Sequence, residues 1–507
     1  MKSTQLAQQF QDRCANAREH LLKAAHNPET TQNDLLHTLI RRNVETAFGK
    51  EHDFATLRTV ADFQRAVPIR DYHAMAPWLS RCVNGEASVL TGESPAMYAL
   101  WGNFLAYHPE LVEHEDATLD LHWDRRPVTL SVGKNTTPVQ SMAQRYGIMH
   151  ADDFCPPWYE AAWFRPQAKL SDYSERMFNK IVFFALKKVR AIATINPITL
   201  HLFAETLAKN TERLIEKLHR LDTSKAATDR LAAIAKTRNA TLLPKDLWPD
   251  LSVIGCRKSA TAALYLPRLQ PLFGEHVSLC PYSSAGAEGS QAIPINEHST
   301  AGVAALCSSF MEFLPATEPW RADSQTSLLH ELLLGGEYQT VLTTPDGLYR
   351  YAVGDVFKVV EFIGPTPMLE YVGRTQRISS MAQEQLSERE IVDAAQRVCE
   401  QQAIRLSLFT CCPVLAPQAH YLFLIESTDQ VDSNQLLAEY LDDQLCIANP
   451  HYQQARTNGS LAPAKVRALR PGTFYDHWHS SVNEGKGTIQ LQIRALQQDD
   501  TLAHLFA

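Results

Sequence analysis

In residues 1 to about 60 the apolar positions Leu6, Phe10, Leu21, Leu22, Leu35, Leu36 and Leu39 fall at helix-compatible spacing on a polar background. Val67-Pro68-Ile69-Arg70-Asp71-Tyr72 starts a new element, because a proline fixes its own φ and restricts the residue before it. Asn84-Gly85 and Thr91-Gly92 are turn signals. Residues 177–221 read as helical, interrupted at Asn196-Pro197, a pair that suits a turn with proline in the first turn of the next helix. Leu251-Ser252-Val253-Ile254-Gly255 predicts a short buried strand, and residues 265–273 a helix capped by Gly274. A strand ending at Leu279-Cys280-Pro281-Tyr282 runs into a small-residue loop over 283–290.

Beyond Glu337-Tyr338 the pattern changes to strands at 339–344, 356–363 and 369–372, with a tight turn at Asp346-Gly347. A helix at 386–400, strands at 406–411 and 420–425, a helix at 434–447 and the tail after Pro471 make a smaller α+β unit. Helices alternating with short apolar strands predict an α/β fold. The expected division is a large N-terminal domain, 1–373, and a small, mobile C-terminal domain, 374–507, parting near Arg374-Thr375.

Length allows about two to four domains. The net charge of −8 gives no reason to expect a nucleic acid partner, since phosphate binding needs a basic face. The first residues carry no apolar stretch of signal-peptide length, and no run approaches the roughly 18 apolar residues of a membrane helix. The ten cysteines are scattered without Cys-x-x-Cys spacing, which reads as reduced thiols in a cytoplasm.

Five segments, in order, resemble the Gretchen Hagen family of acyl acid amido synthetases, a branch of the adenylate-forming superfamily. The entry segment is Phe63-Gln64-Arg65 through Val67-Pro68-Ile69, with Asn84-Gly85-Glu86 and Val89-Leu90-Thr91. Ile195-Asn196-Pro197 and Leu247-Trp248-Pro249 follow. The most specific match is Leu348-Tyr349-Arg350-Tyr351 with Val353-Gly354-Asp355-Val356, followed by Tyr371-Val372-Gly373-Arg374 and Pro471-Gly472-Thr473-Phe474. The resemblance implies a large adenylate-forming-type α/β domain, a smaller mobile domain and an active site between them. It also implies two half-reactions: ATP converts a small carboxylic acid to an acyl-adenylate, and an amine such as an amino acid displaces AMP.

Adenylation needs a grip on the ribose, cations or Mg²⁺ near the phosphates, and exclusion of water. The resemblance assigns the ribose hydroxyls to Asp355, expected in a strand-edge loop after Gly354, and places Tyr351, Ser284 and Gly286 along the nucleotide. Glu288, in Tyr282-Ser283-Ser284-Ala285-Gly286-Ala287-Glu288-Gly289, looks like the family's glutamate that ligates Mg²⁺ or lies near the phosphates. Arg374 looks like the hinge arginine that reaches the phosphates. Glu384 takes the place of the glutamate of a Gly-Glu-Lys sequence, here between Gln383 and Gln385.

The chain also departs from the family. Where a Thr-Ser-Gly-Thr-Thr loop would cradle the triphosphate, it reads Trp101-Gly102-Asn103-Phe104-Leu105. Ala287 replaces a hydroxyl residue before Glu288, and Ile493 stands where the family has a late lysine. Lys134, in Ser131-Val132-Gly133-Lys134-Asn135-Thr136-Thr137-Pro138, and Arg494 or Lys486 are the candidate replacement cations. Three functions remain open: an ATP-dependent ligase with a rebuilt phosphate site, an ATP-independent acyl transferase, and a non-catalytic protein that binds a ligand or partner. His477-Trp478-His479 has no metal-site geometry, because residues two apart on a helix do not face each other. The aromatic cluster Phe154, Trp158, Tyr159, Trp163 and Phe164 reads as core or as acyl-pocket lining.

Overall fold

Helices Lys2–Ala24, Pro28–Arg42, Ala47–Glu51 and Val60–Ala66 occupy the first segment, as its spacing predicts. The last three starts have local causes: Pro28 opens the second helix, Thr46 accepts from Gly49 N at the third, and Thr59 and Asp62 form a capping box at the fourth. The computed structural model describes residues 2–83, 86, 88–90, 116–120, 128–132, 135–139, 173–221, 224–286, 288–375, 377–402, 404, 406–427, 434–483 and 493–506.

Four parallel strands, Asp116–Asp120, Lys188–Ala193, Val253–Cys256 and Ser278–Pro281, lie side by side in that order. Helices Tyr173–Phe184 and Ile198–Lys209 pack on them through a core that includes Phe178, Ile181, Phe203, Trp248 and Ile254. Residues 177–221 are not one interrupted helical stretch, because Lys188–Ala193 is a strand inside the parallel sheet. Its last three residues are all buried, and a strand covered on both faces loses the alternation that would mark it.

An eight-stranded sheet carries the expected site residues. Its order is Ser327–Leu328, Phe310–Pro315, Glu337–Thr343, Tyr351–Ile363, Thr366–Arg374, Gly302–Ala304, Gly289–Ile293 and Ser284–Gly286. Every pairing in it is antiparallel. The loop expected at 283–290 is therefore largely an edge hairpin. Gly347, with φ +96°, makes the expected turn before Tyr351–Ile363.

After Arg374 the chain builds a separate apolar core. Strands Leu406–Val414, His420–Ser427 and Lys465–Leu469 form one sheet, covered by helices Glu388–Gln402 and Asn434–Ala448 through Ile391, Val398, Phe409, Phe423, Leu441 and Leu445. Among the described residues no helix is long and apolar enough to cross a membrane.

The Pro-Gly-Thr-Phe segment has a structural task in this unit. Helix Thr473–Asn483 begins there, and the buried Glu426 carboxylate accepts from Gly472 N at 3.0 Å and Phe474 N at 2.6 Å. An anion thus sits on the N-terminal amides of that helix, where the aligned peptide dipoles favour negative charge.

Candidate active site

Asp355 does not lie in a strand-edge loop but inside the long strand Tyr351–Ile363. Gly354 adopts φ +79°, and the pairing with both neighbouring strands shifts register close by. Such irregularities re-aim a side chain, and only glycine takes that φ without strain. The Asp355 carboxylate is buried, and both oxygens are engaged: Arg374 Nε donates to Oδ1 at 2.6 Å and Gln291 Nε2 donates to Oδ2 at 2.7 Å. Thr340 Oγ1 in turn donates to Gln291 Oε1 at 2.5 Å.

Thr340 and Gln291 come from strands on opposite sides of Tyr351–Ile363 in the sheet order. Their contact requires the sheet to curl around Asp355. Arg374 faces Asp355 across the ladder as its direct register partner. Burial works against the Arg374 charge, but Asp355 and, more weakly, Glu288 outweigh it and hold the guanidinium's pKa above its ordinary value.

Glu288 belongs to the same cluster. Burial raises the Tyr351 phenol, and Glu288 and then Asp71 push it further in that direction. A Cβ on Gly286 would collide with the Glu288 carboxylate, so the glycine leaves room for that side chain to fold over its own hairpin. Ser284 is half-buried on the same edge strand. The structure therefore gathers Glu288, Tyr351, Asp355 and Arg374, with Ser284 and Gly286 on the adjoining hairpin. Among the described residues no three His, Cys, Asp or Glu side chains cluster as a metal cage.

Two further residues flank the site that sequence reasoning did not select, besides Gln291 and Thr340. Tyr371 is half-buried, and its phenol is raised by desolvation and then by Asp355. The Arg257 guanidinium lies 5.9 Å from its ring centre. Arg257 directly follows the parallel strand Val253–Cys256, so its position at a carboxyl-terminal strand end was the available signal.

Other expected residues have different surroundings. Glu384 is fully buried, accepting from Met381 N at 2.8 Å, Ala382 N at 2.6 Å and Tyr421 OH at 2.5 Å. Its neighbours Gln383 and Gln385 are exposed and left-handed, at φ +68° and +47°. Arg494 is tied by its carbonyl, which accepts from Thr410 Oγ1 at 2.7 Å. Residues 101–105, Lys134, Lys486 and the aromatic cluster at 154–164 lie outside the described residues.

The described architecture is thus a parallel α/β layer, a curled antiparallel sheet holding a buried carboxylate, and a smaller α+β unit following directly. Comparison with known proteins narrows this. The GH3 family N-terminal domain matches residues 17–100, the GH3 family central domain residues 302–374 and the GH3 family C-terminal domain residues 389–500. These matches together span more than half of the chain, in order, and the chain belongs to the GH3 family.

Among its relatives, indole-3-acetic acid-amido synthetase GH3.4 of Arabidopsis thaliana is 22% identical over 92% of this chain and 89% of its own length. Indole-3-acetic acid-amido synthetase GH3.8 of Oryza sativa subsp. indica is 22% identical over 92% and 88%. The solved structure of GH3.15 acyl acid amido synthetase superposes with a TM-score of 0.77 at 18% identity, covering 96% of this chain and 95% of that one.

Proposed function

We propose that this protein is an ATP-dependent acid–amine ligase that converts a small carboxylic acid to its acyl-adenylate and passes the acyl group to an amine, an amino acid foremost. Its relatives' names support the reading, being those of amido synthetases. One observation carries it at the site: the buried Asp355 carboxylate, fixed by Gln291 and Arg374. A carboxylate has about four lone-pair positions, so two engaged positions leave capacity for a ribose diol.

In the first half-reaction a carboxylate oxygen of the acid attacks the α-phosphorus of ATP and pyrophosphate leaves. In the second, the amine nitrogen attacks the acyl carbon. The bond from that carbon to the phosphate oxygen breaks, AMP departs with the electron pair, and the nitrogen gives up a proton. Asp355 holds the ribose, Tyr351, Ser284 and Gly286 border the nucleotide, and Arg374 presents its guanidinium toward the phosphates. Glu288 would hold magnesium, which needs only one or two protein carboxylates beside phosphate oxygens and water. Bound there, the ion would neutralise charge on the leaving pyrophosphate.

We place the boundary between the two domains at Gly373-Arg374. The central family match ends at residue 374 and the C-terminal one begins at 389, which supports it. The cytoplasmic placement read from the scattered cysteines is retained with this proposal. No observation favours the transferase or the non-catalytic alternative.

Pyrophosphate exchange into ATP, run with a panel of carboxylic acids, tests the reading. Asp355→Asn exchanges an acceptor-only group for an amide and weakens two charge-assisted bonds of about 1.5 to 3 kcal/mol each. The expected loss of exchange is at least about 100-fold, with the circular dichroism spectrum unchanged. Full exchange by Asp355→Asn, or no exchange and no AMP binding by the parent protein, overturns it.

A further inference from the structure

The two groups that hold Asp355 differ in how firmly they are held themselves. Arg374 ends its strand, and 36% of its side chain is exposed against 8% for that of Asp355. Gln291 lies inside strand Gly289–Ile293 and is 1% exposed, as is Thr340 behind it. The first partner is free to follow a phosphate, whereas the second is enclosed by the sheet.

Hydrogen-bond valence fixes the direction of the chain from Thr340 through Gln291 to Asp355. An ionised carboxylate only accepts, so the amide turns its NH₂ end to Asp355 Oδ2, at 2.7 Å. Its oxygen then faces the Thr340 hydroxyl, which donates at 2.5 Å. A reversed amide would set oxygen against carboxylate and leave two buried acceptors unsatisfied. The backbone puts the hydroxyl in place. Pairing between Glu337–Thr343 and Tyr351–Ile363 steps from Gln339 opposite Val356 to Val341 opposite Ala352, passing over Thr340 and residues 353–355. Such a bulge re-aims the side chains it contains. An uncharged donor also orients the carboxylate without cancelling its charge, so the free lone pairs remain strong acceptors.

We propose that Gln291, set by Thr340, is the positioning residue that keeps the Asp355 carboxylate aimed at the ribose while Arg374 is drawn to the phosphates. The adenosine end of the acyl-adenylate thereby stays gripped from the first half-reaction through the second. The inference rests on the ligase reading and adds a division of labour between the two partners of Asp355. Gln291 governs the ribose, and Arg374 the phosphate.

Calorimetry with AMP and with dideoxy-AMP, which has no ribose hydroxyl, tests it. The ratio of the two dissociation constants reads the ribose grip and is blind to the phosphate. The parent protein is expected to bind AMP at least about tenfold more tightly than dideoxy-AMP. Gln291→Met should weaken AMP about tenfold and leave dideoxy-AMP within about twofold, so that the ratio collapses. Thr340→Val should act in the same sense but less, and Thr340→Ser should restore the ratio. Arg374→Gln should weaken both nucleotides alike and preserve it. Added to Asp355→Asn, Gln291→Met should cost AMP nothing further. The proposal is overturned if Gln291→Met and Thr340→Val keep the ratio, or weaken both nucleotides equally as a merely structural loss would. It is equally overturned if Arg374→Gln abolishes the ratio as fully as Gln291→Met does. A parent protein that binds AMP without preferring the hydroxyls overturns this inference alone, and pyrophosphate exchange still decides the ligase reading. A parent protein with neither exchange nor AMP binding removes both.

Discussion

Arg350 carries a guanidinium into the interior, with 2% of its side chain exposed against 0% for its partner Glu312. Nε donates to Glu312 at 3.0 and 3.2 Å, and Nη1 donates to the carbonyls of Gln64 at 2.8 Å and Val67 at 2.9 Å. One residue thus neutralises a buried acid and ties the end of helix Val60–Ala66 to the sheet. Arg350→Met leaves Glu312 buried without its cation, and the expected cost is about 3 to 5 kcal/mol by denaturant unfolding. A change below about 1 kcal/mol contradicts this account. The Tyr-Arg-Tyr segment marks the family, yet its first two members serve the fold: Tyr349 is buried and donates to Leu90 O at 3.0 Å. Asp355 was legible because Gly-Asp stood in a specific context. Gln291 and Thr340 were not, since an amide and a hydroxyl in ordinary strands acquire meaning only when the sheet brings them together.

Elements were legible where turn residues bound them, as Gly347 does before Tyr351–Ile363, or where a helix buries one face alone, as in Glu388–Gln402. The strands around 339–372 and the helices around 388 and 434 follow the predicted order, with shifted ends. Lys188–Ala193 was lost because its apolar run fits a buried helix equally well. The Ser284–Gly286 hairpin was lost because small residues advertise a loop, while pairing across the ladder makes a strand of them. Helix Thr473–Asn483 shows a start signal that lies far away in sequence, since its anion comes from Glu426. Glu426→Ala removes that acceptor from two amides and is expected to destabilise the small unit by about 1 to 2 kcal/mol. Amide exchange at Phe474 should quicken by the corresponding factor, and unaltered protection there contradicts the capping role.

For the whole molecule, His201 ties acid stability to packing. It lies on helix Ile198–Lys209, and its Nε2–H donates to the Tyr265 carbonyl at 2.9 Å, which requires the proton on that nitrogen. Burial pushes the imidazole down to about 4. An unfolded histidine takes its proton near pH 6.5, so the unfolded chain binds more protons between roughly 6.5 and 4. Stability is therefore complete above that window and falls as pH drops through it, by up to about 3 kcal/mol. His201→Gln keeps an N–H donor without the titration, and its unfolding free energy should depend less on pH across the same window. Parallel curves for parent and variant refute this assignment.

The contact between Asp355 and Arg374 has a mechanical consequence. Arg374 is the last residue of its strand, and the chain leaves the sheet for the small unit directly beyond it. In the proposed reaction, a nucleotide that draws this guanidinium toward its phosphates loosens a charged side-chain bond that anchors the strand's end to Tyr351–Ile363. Under the proposed ligase reaction, arrival of ATP becomes freedom of movement at the joint, and departure of AMP restores the anchor.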